Sequence, residues 1–227
     1  MFLPKKVYKL DYICFFMKKI ILLLLVISLT LSLYVTSVKS VVFDESFYEK
    51  EFEKNNVYEN VEDADEINRG LLLFLKGEDK LPNVFTKKEM MHMVDVRDLI
   101  NLLDFVFILL CLINIVLLCF LLFYSKDLVR KLFIFSGFFG IVLPIPLFFL
   151  KFSNLFLKFH LIFFPQGNWS FDYSTMLIKL YSNQFFYDSL VKIGLNSFIF
   201  CLLFLLIGFS CQKKVVTKLY SLLHKSL

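Results

Sequence analysis

His92 and His160 are the residues of this chain best suited to moving a proton at neutral pH, because an unperturbed imidazole titrates near 6.5. Each stands at the edge of a strongly apolar stretch, with polar neighbours close by in sequence. Two imidazoles that converge could act as base and acid in a transfer reaction. Two that do not are ordinary amphipathic side chains at an interface. Asp95 lies one helical turn beyond His92 and so shares its face, where it either orients the ring or is simply an exposed acid. The third histidine, His224, falls in a basic tail and reads as surface. The run Met90-Met91-His92-Met93 has ligands that suit Cu(I), but neighbouring helical residues point about 100° apart, so at most two could face one ion. There is no Gly-x-Ser-x-Gly elbow, no His-Glu-x-x-His, no phosphate-binding glycine loop and no Cys-x-x-Cys. Serine-triad hydrolysis and zinc proteolysis therefore have no support, and no metal or cofactor site is expected.

The elements that carry these groups are set by hydropathy. The 227 residues are 58% hydrophobic and include thirty Phe against seven Gly and five Pro. Four stretches carry no charge: Ile20 to Val38, Phe105 to Ser125, Leu132 to Leu150 and Ile193 to Gln212. Each is close to the ~20 apolar residues needed to cross a hydrocarbon core of about 30 Å. The expectation is an all-α membrane protein with transmembrane helices at about 20–40, 99–124, 132–150 and 193–212. A soluble enzyme, a disordered tail and a β-barrel are excluded.

Charge gives the orientation. Residues Val41 to Asp104 hold sixteen of the twenty acids against eight bases, whereas bases prevail in 1–19, 125–131 and 213–227. Short basic segments beside membrane helices stay in the cytoplasm. Residues 1–19, 125–131 and 213–227 are thus expected inside, and 41–98 and 151–192 outside. The five cysteines, Cys14, Cys111, Cys119, Cys201 and Cys211, avoid the outer segments, so no disulfide framework is expected and they read as small apolar residues. Met17-Lys18-Lys19 before an apolar run looks like an ordinary start, which would make residues 1–16 an upstream extension. The first span is too long for a signal-peptide core and reads as a retained helix.

Local signals place the two histidines. Residues 41–85 should form a small, mostly helical outer segment whose dense acids are a solvated face. Thr86-Lys87-Lys88-Glu89 has the spacing of a capping box, opening a helix that can run unbroken through His92 into the second span. That helix puts Glu89, His92, Asp95, Val96 and Leu99 on one stripe, with Glu89 and Arg97 in structural roles. Pro144 and Pro146 should unwind the outer end of the third span. Phe152, Phe156, His160 and Phe163 then share one face of an aromatic segment that should lie at the interface between helices three and four. Pro165-Gln166-Gly167-Asn168 reads as a turn leading into Trp169, the only tryptophan.

The residues from Glu89 to Leu99, with Phe159-His160-Leu161-Ile162-Phe163-Phe164-Pro165-Gln166-Gly167-Asn168-Trp169-Ser170-Phe171, resemble the bacterial lipoprotein intramolecular transacylases, a family of four-helix integral membrane proteins. The likeness covers most of the chain from about Met17, and the two histidine motifs are its specific part. It implies an acyltransferase of the cytoplasmic membrane, acting at its outer face on diacylglyceryl-modified lipoproteins. The sn-2 acyl chain would move from the glyceryl oxygen to the α-amine of the N-terminal Cys, giving the lyso-form. The roles implied are His160 as base and then acid, and His92 with Asp95 sharing the relay or donating to the oxyanion. Gly167, Asn168 and Trp169 would be oxyanion or positioning donors, and Phe163, Phe164 and Phe171 would contact acyl chains. Ester-to-amide transfer runs downhill, so no acyl carrier, nucleotide or metal is expected. The partners are the lipoprotein substrate and membrane lipids, with no nucleic acid. Two other readings stay open: a non-catalytic membrane protein whose acidic segment binds a partner, and an N-acyltransferase that draws its acyl chain from a phospholipid.

Overall fold

The computed structural model describes residues 5–124 and 126–223, with side chains over 16–122, 127–147 and 149–210. His224 and the side chains of Cys14 and Cys211 lie outside the described residues. The described chain is helical, and four of its helices are long and apolar enough to cross a membrane. These are α1 (Lys5–Val42), α4 (Lys87–Tyr124), α5 (Lys126–Val142) and α8 (Asn183–Leu223). Between α1 and α4 come α2 (Glu45–Lys54), a 3-10 turn (Val57–Glu59) and α3 (Ala64–Lys76). Between α5 and α8 come a second 3-10 turn (Ile145–Phe149), α6 (Phe152–Phe163) and the short α7 (Met176–Leu180).

The boundaries follow local chemistry. Asp44 caps α2, its carboxylate accepting from the Phe47 amide. Helix α3 ends at Gly77, whose φ of 77° lets the Gly77 and Glu78 amides turn back onto the Phe74 and Leu73 carbonyls. That is a Schellman closure, which an L side chain would strain. The capping box at α4 forms in both directions: the Glu89 amide donates to Thr86 Oγ1 at 3.3 Å, and the Thr86 amide donates to Glu89 Oε2 at 2.7 Å. Helix α5 stops before Pro144 and gives way to 3-10 geometry, as two prolines without amide donors require.

The chain divides into two compact units. The first comprises residues 1–34, 107–144 and 197–227. Leu25, Val26, Leu121 and Leu132 form its buried apolar cluster. Its helices are also tied by polar contacts, which matter where neither water nor a hydrophobic drive holds helices together. Asn114 Nδ2 donates to Ser32 Oγ at 2.9 Å, and the Tyr34 hydroxyl donates to the Gly140 carbonyl at 2.6 Å. Helices α5 and α8 approach closely at glycine: a Cβ on Gly137 would lie 2.8 Å from the Cys201 carbonyl oxygen.

The second unit comprises residues 35–106 and 145–196 and contains both candidate histidines. Its core gathers Phe47, Tyr48 and Phe52 of α2, Leu71, Leu72 and Leu75 of α3, Leu177 and Leu180 of α7, and Phe185 of α8. Buried Tyr181 donates its hydroxyl to Asn68 Oδ1 at 2.9 Å, so the polar end of that ring is satisfied. Lys39 pairs with Asp104 at 2.5 Å, and Lys54 with Asp188 at 2.6 Å. The acids of 44–66 are mostly exposed, as their density suggests. Glu51 is different: it is buried, and its carboxylate accepts from Asn55 Nδ2 at 3.2 Å.

Candidate active site

Glu89 fixes where His92 stands. It is fully buried, and beyond closing the capping box its Oε1 accepts the Leu177 amide at 2.7 Å. One carboxylate thus joins the first turn of α4 to the first turn of α7, each a helix end with amides to satisfy. His92, three residues on, is buried beside it with an exposure of 8%. His160 stands in the last turn of α6, with an exposure of 7%.

The two rings meet. Their centroids are 6.1 Å apart and their planes 27° from parallel. Phe164 packs against both, at 4.8 Å from His92 and 5.7 Å from His160. Phe156, Phe159 and Trp169 complete an aromatic wall around His160, with the Trp169 ring at 4.8 Å. Phe171 packs on His92 at 5.5 Å. Phe163 faces away: it is half exposed and stacks on Phe159 instead of on either histidine.

The hydrogen bonds decide which ring atoms are free. His160 Nδ1 lies 2.8 Å from the Phe156 carbonyl, which can only accept, so Nδ1 carries the proton and Nε2 keeps its lone pair. Burial among aromatic rings pushes the His160 pKa below the usual imidazole value, against the opposing pull of that carbonyl. The ring is therefore neutral and basic at Nε2 around pH 7. Asp95 makes no direct hydrogen bond to His92. Its Oδ2 instead accepts Gln166 Nε2 at 2.6 Å and Asn168 Nδ2 at 2.5 Å, holding the 165–169 turn against α4.

Of the three donors suggested by the sequence, two are engaged within the protein. The Gly167 amide donates to the Phe164 carbonyl at 3.1 Å, with Gly167 at a φ of 75°, and an Asn168 amide proton goes to Asp95. Trp169 Nε1 is buried without a partner, as are His92 Nδ1 and Asn168 Oδ1. Unsatisfied buried polar atoms cost about 1–3 kcal/mol each, and three of them around one pair of imidazoles mark a place where polar groups of another molecule belong. Beside them, Met91, Val94, Asp95, Gln166 and Asn168 line a cavity of about 310 Å³. Two participants were not evident from sequence: Gln166, one of several polar residues in a turn, and the Phe156 carbonyl. The latter could have been suspected, since it lies four residues before His160, where a helical side chain can reach back.

Membrane-length helices define an integral membrane protein, and within its second unit two buried imidazoles stand together. The family model of the lipoprotein intramolecular transacylase Lit matches residues 23–186. An uncharacterised protein of Aquifex aeolicus (strain VF5) is 30% identical over 221 residues, covering 87% of this chain and 97% of its own length. Crystal structures of the transacylase Lit from Bacillus cereus share the fold at 20% identity. One has a TM-score of 0.77 over 90% of this chain and 98% of its own. Another, in which a histidine is replaced by arginine, has a TM-score of 0.81 over 93% and 99%. The chain belongs to the lipoprotein intramolecular transacylase family and is a multi-pass membrane acyltransferase.

Proposed function

We propose that the His92–His160 centre moves the sn-2 acyl chain of an S-diacylglyceryl lipoprotein onto the α-amine of its N-terminal Cys, at the outer face of the cytoplasmic membrane. The observation that carries this reading is the pair of buried rings 6.1 Å apart, one with its tautomer fixed by a backbone carbonyl. Amine and ester belong to one molecule, so much of the entropic cost of bringing them together is met before binding.

His160 Nε2 takes a proton from the attacking nitrogen. The nitrogen–carbonyl bond forms, the tetrahedral oxyanion collapses, and the bond to the glyceryl oxygen breaks as His160 returns its proton to that oxygen. The ammonium group loses two protons in becoming an amide nitrogen. One ends on the glycerol hydroxyl, and the other leaves through His92 to water. Trp169 Nε1, an unpartnered donor beside His160, is placed to serve the oxyanion. Phe164 and Phe171 supply apolar contact for the acyl chains next to the reacting groups, while Phe163 would meet them only farther out. No acyl-enzyme forms.

The test is His160→Ala and His92→Ala expressed in cells lacking their own transacylase, with lipoprotein N-termini read by mass spectrometry. Lyso-form product should vanish or drop at least about 10²-fold in each. Product at the wild-type level in the His160 variant would reject the assignment. Labelled phospholipid chains appearing in the amide would show transfer between molecules instead.

A further inference from the structure

We propose that the crevice between α1 and α5 in the first unit holds one anionic phospholipid, with its phosphate on Lys18, Lys19 and Lys131 and an acyl chain along the apolar wall between the two helices. The site lies in the unit that does not contain the histidines, and the proposal does not depend on the acyl-transfer reading.

Two hydrogen bonds fix how α1 and α5 run. The Thr30 hydroxyl donates to the Ser136 carbonyl at 3.3 Å and the Tyr34 hydroxyl to the Gly140 carbonyl at 2.6 Å, each pair 106 residues apart in sequence. The helices are therefore parallel, and a residue of α1 stands about level with the α5 residue 106 later. Toward their N-terminal sides the same helices line a cavity of about 660 Å³. Leu22 and Leu128, level by that register, are both in its wall, with Val26 and Phe139 farther along. Lys18, Lys19 and Lys131 line it as well. Ordinary ligand sites run from about 300 to 1,000 Å³.

Charge and apolar surface are divided along this crevice. A lysine near the end of a membrane helix lays its stem on apolar surface and carries its ammonium toward the headgroups. Lys131 does so, its Nζ reaching back one turn to Asp127 Oδ2 at 2.8 Å. Asp127 is shared with Arg130, also at 2.8 Å, so Lys18, Lys19, Arg130 and Lys131 outnumber it four to one. From Lys19 to Val26 the wall then runs apolar for roughly 10 Å of helix rise. The fitting occupant is anionic at one end, apolar beyond it, and resident in the membrane. An acidic peptide or a nucleic acid would leave the apolar wall unused, and a zwitterionic lipid brings a cation of its own against the lysines. An anionic phospholipid satisfies both ends, and each lysine near the surface strengthens its binding about fivefold.

The test is fluorescence quenching by phospholipids brominated on their acyl chains, with the full chain in bilayers. Trp169 is the only tryptophan, so Phe135→Trp in a Trp169→Phe background puts a single indole on the cavity wall, one turn beyond Lys131. Val116→Trp in the same background is the control, because Val116 is 65% exposed on α4 and about as far from Tyr124 as Phe135 is from Lys126. At the Phe135→Trp indole, brominated phosphatidylglycerol should be preferred over brominated phosphatidylcholine by at least about 10-fold in relative affinity. The Val116→Trp indole should show no such preference. Lys131→Gln should cut the preference about fivefold, and combining it with Lys18→Gln and Lys19→Gln should abolish it. Excess glycerol phosphate should not relieve the quenching, because the acyl chain anchors the ligand. If the tryptophan variants do not fold, native mass spectrometry of the unsubstituted chain replaces them, and it should retain phosphatidylglycerol in preference to phosphatidylcholine. Equal binding of the two lipids in either measurement overturns the proposal. So does a preference as large with Val116→Trp, one unchanged by the lysine substitutions, or one removed by glycerol phosphate.

Discussion

At the scale of single residues, the site separates groups that resemble one another in sequence. Gly167, Asn168 and Trp169 are consecutive and all carry N–H donors, yet the Gly167 amide and the Asn168 side-chain amide are engaged within the protein while the Trp169 indole is buried without a partner. Trp169→Phe keeps a ring against His160 and removes that donor alone. It should lower kcat by about 10²–10³-fold with little change in KM, measured on a diacylated lipopeptide. A loss below threefold would mean the oxyanion is held elsewhere. The pH dependence also belongs here. Burial lowers the His160 pKa, and the proposed base is the neutral ring, so activity should be present above the folded-state value and be lost as pH falls through it. His160 should titrate below 6.5 by NMR, and a midpoint above 7 would contradict its aromatic enclosure.

At the scale of elements, one carboxylate does two jobs. Glu89 closes the capping box of α4 and accepts the first-turn amide of α7. Glu89→Ala leaves two amides without acceptors and should destabilise the protein by roughly 2–4 kcal/mol, read by unfolding in detergent. Thr86→Ala, which removes only the forward cap, should cost about 1 kcal/mol. Helix packing gives a paired test. Gly137→Ala places a methyl 2.8 Å from the Cys201 carbonyl oxygen and should destabilise. Gly194→Ala, in the same α8 that packs there, meets nothing within 4 Å and should be neutral or gain up to about 1 kcal/mol from helix propensity. Equal effects at the two glycines would refute the close approach of α5 and α8.

At the scale of the whole molecule, we propose the topology that charge suggests, with 41–98 and 151–192 outside and 125–131 inside. In a background lacking native cysteines, Glu62→Cys and Asp172→Cys should react with an impermeant maleimide in intact cells. Asp127→Cys should react only after lysis. The opposite pattern would place the histidines on the cytoplasmic side and remove the lipoprotein substrate from their reach.

Much of this protein is written in local sequence. Four uncharged runs dictate membrane-length helices because hydrocarbon tolerates few charges and no unpaired backbone. Thr86 and Glu89 dictate a helix start, and Pro144 and Pro146 a helix end, because each depends on amides a few residues away. The two histidines could be named as candidates from their chemistry alone. The tertiary structure alone decides which atoms are engaged and which are left without a partner. Asp95 faces His92 along one helix by spacing, yet its oxygen is taken by Gln166 and Asn168, residues far along the chain. Glu51 sits in an acidic run that reads as solvated, but packing buries it. A hydrogen bond uses up a donor wherever its acceptor happens to fold, and no pattern of neighbours in the chain records that.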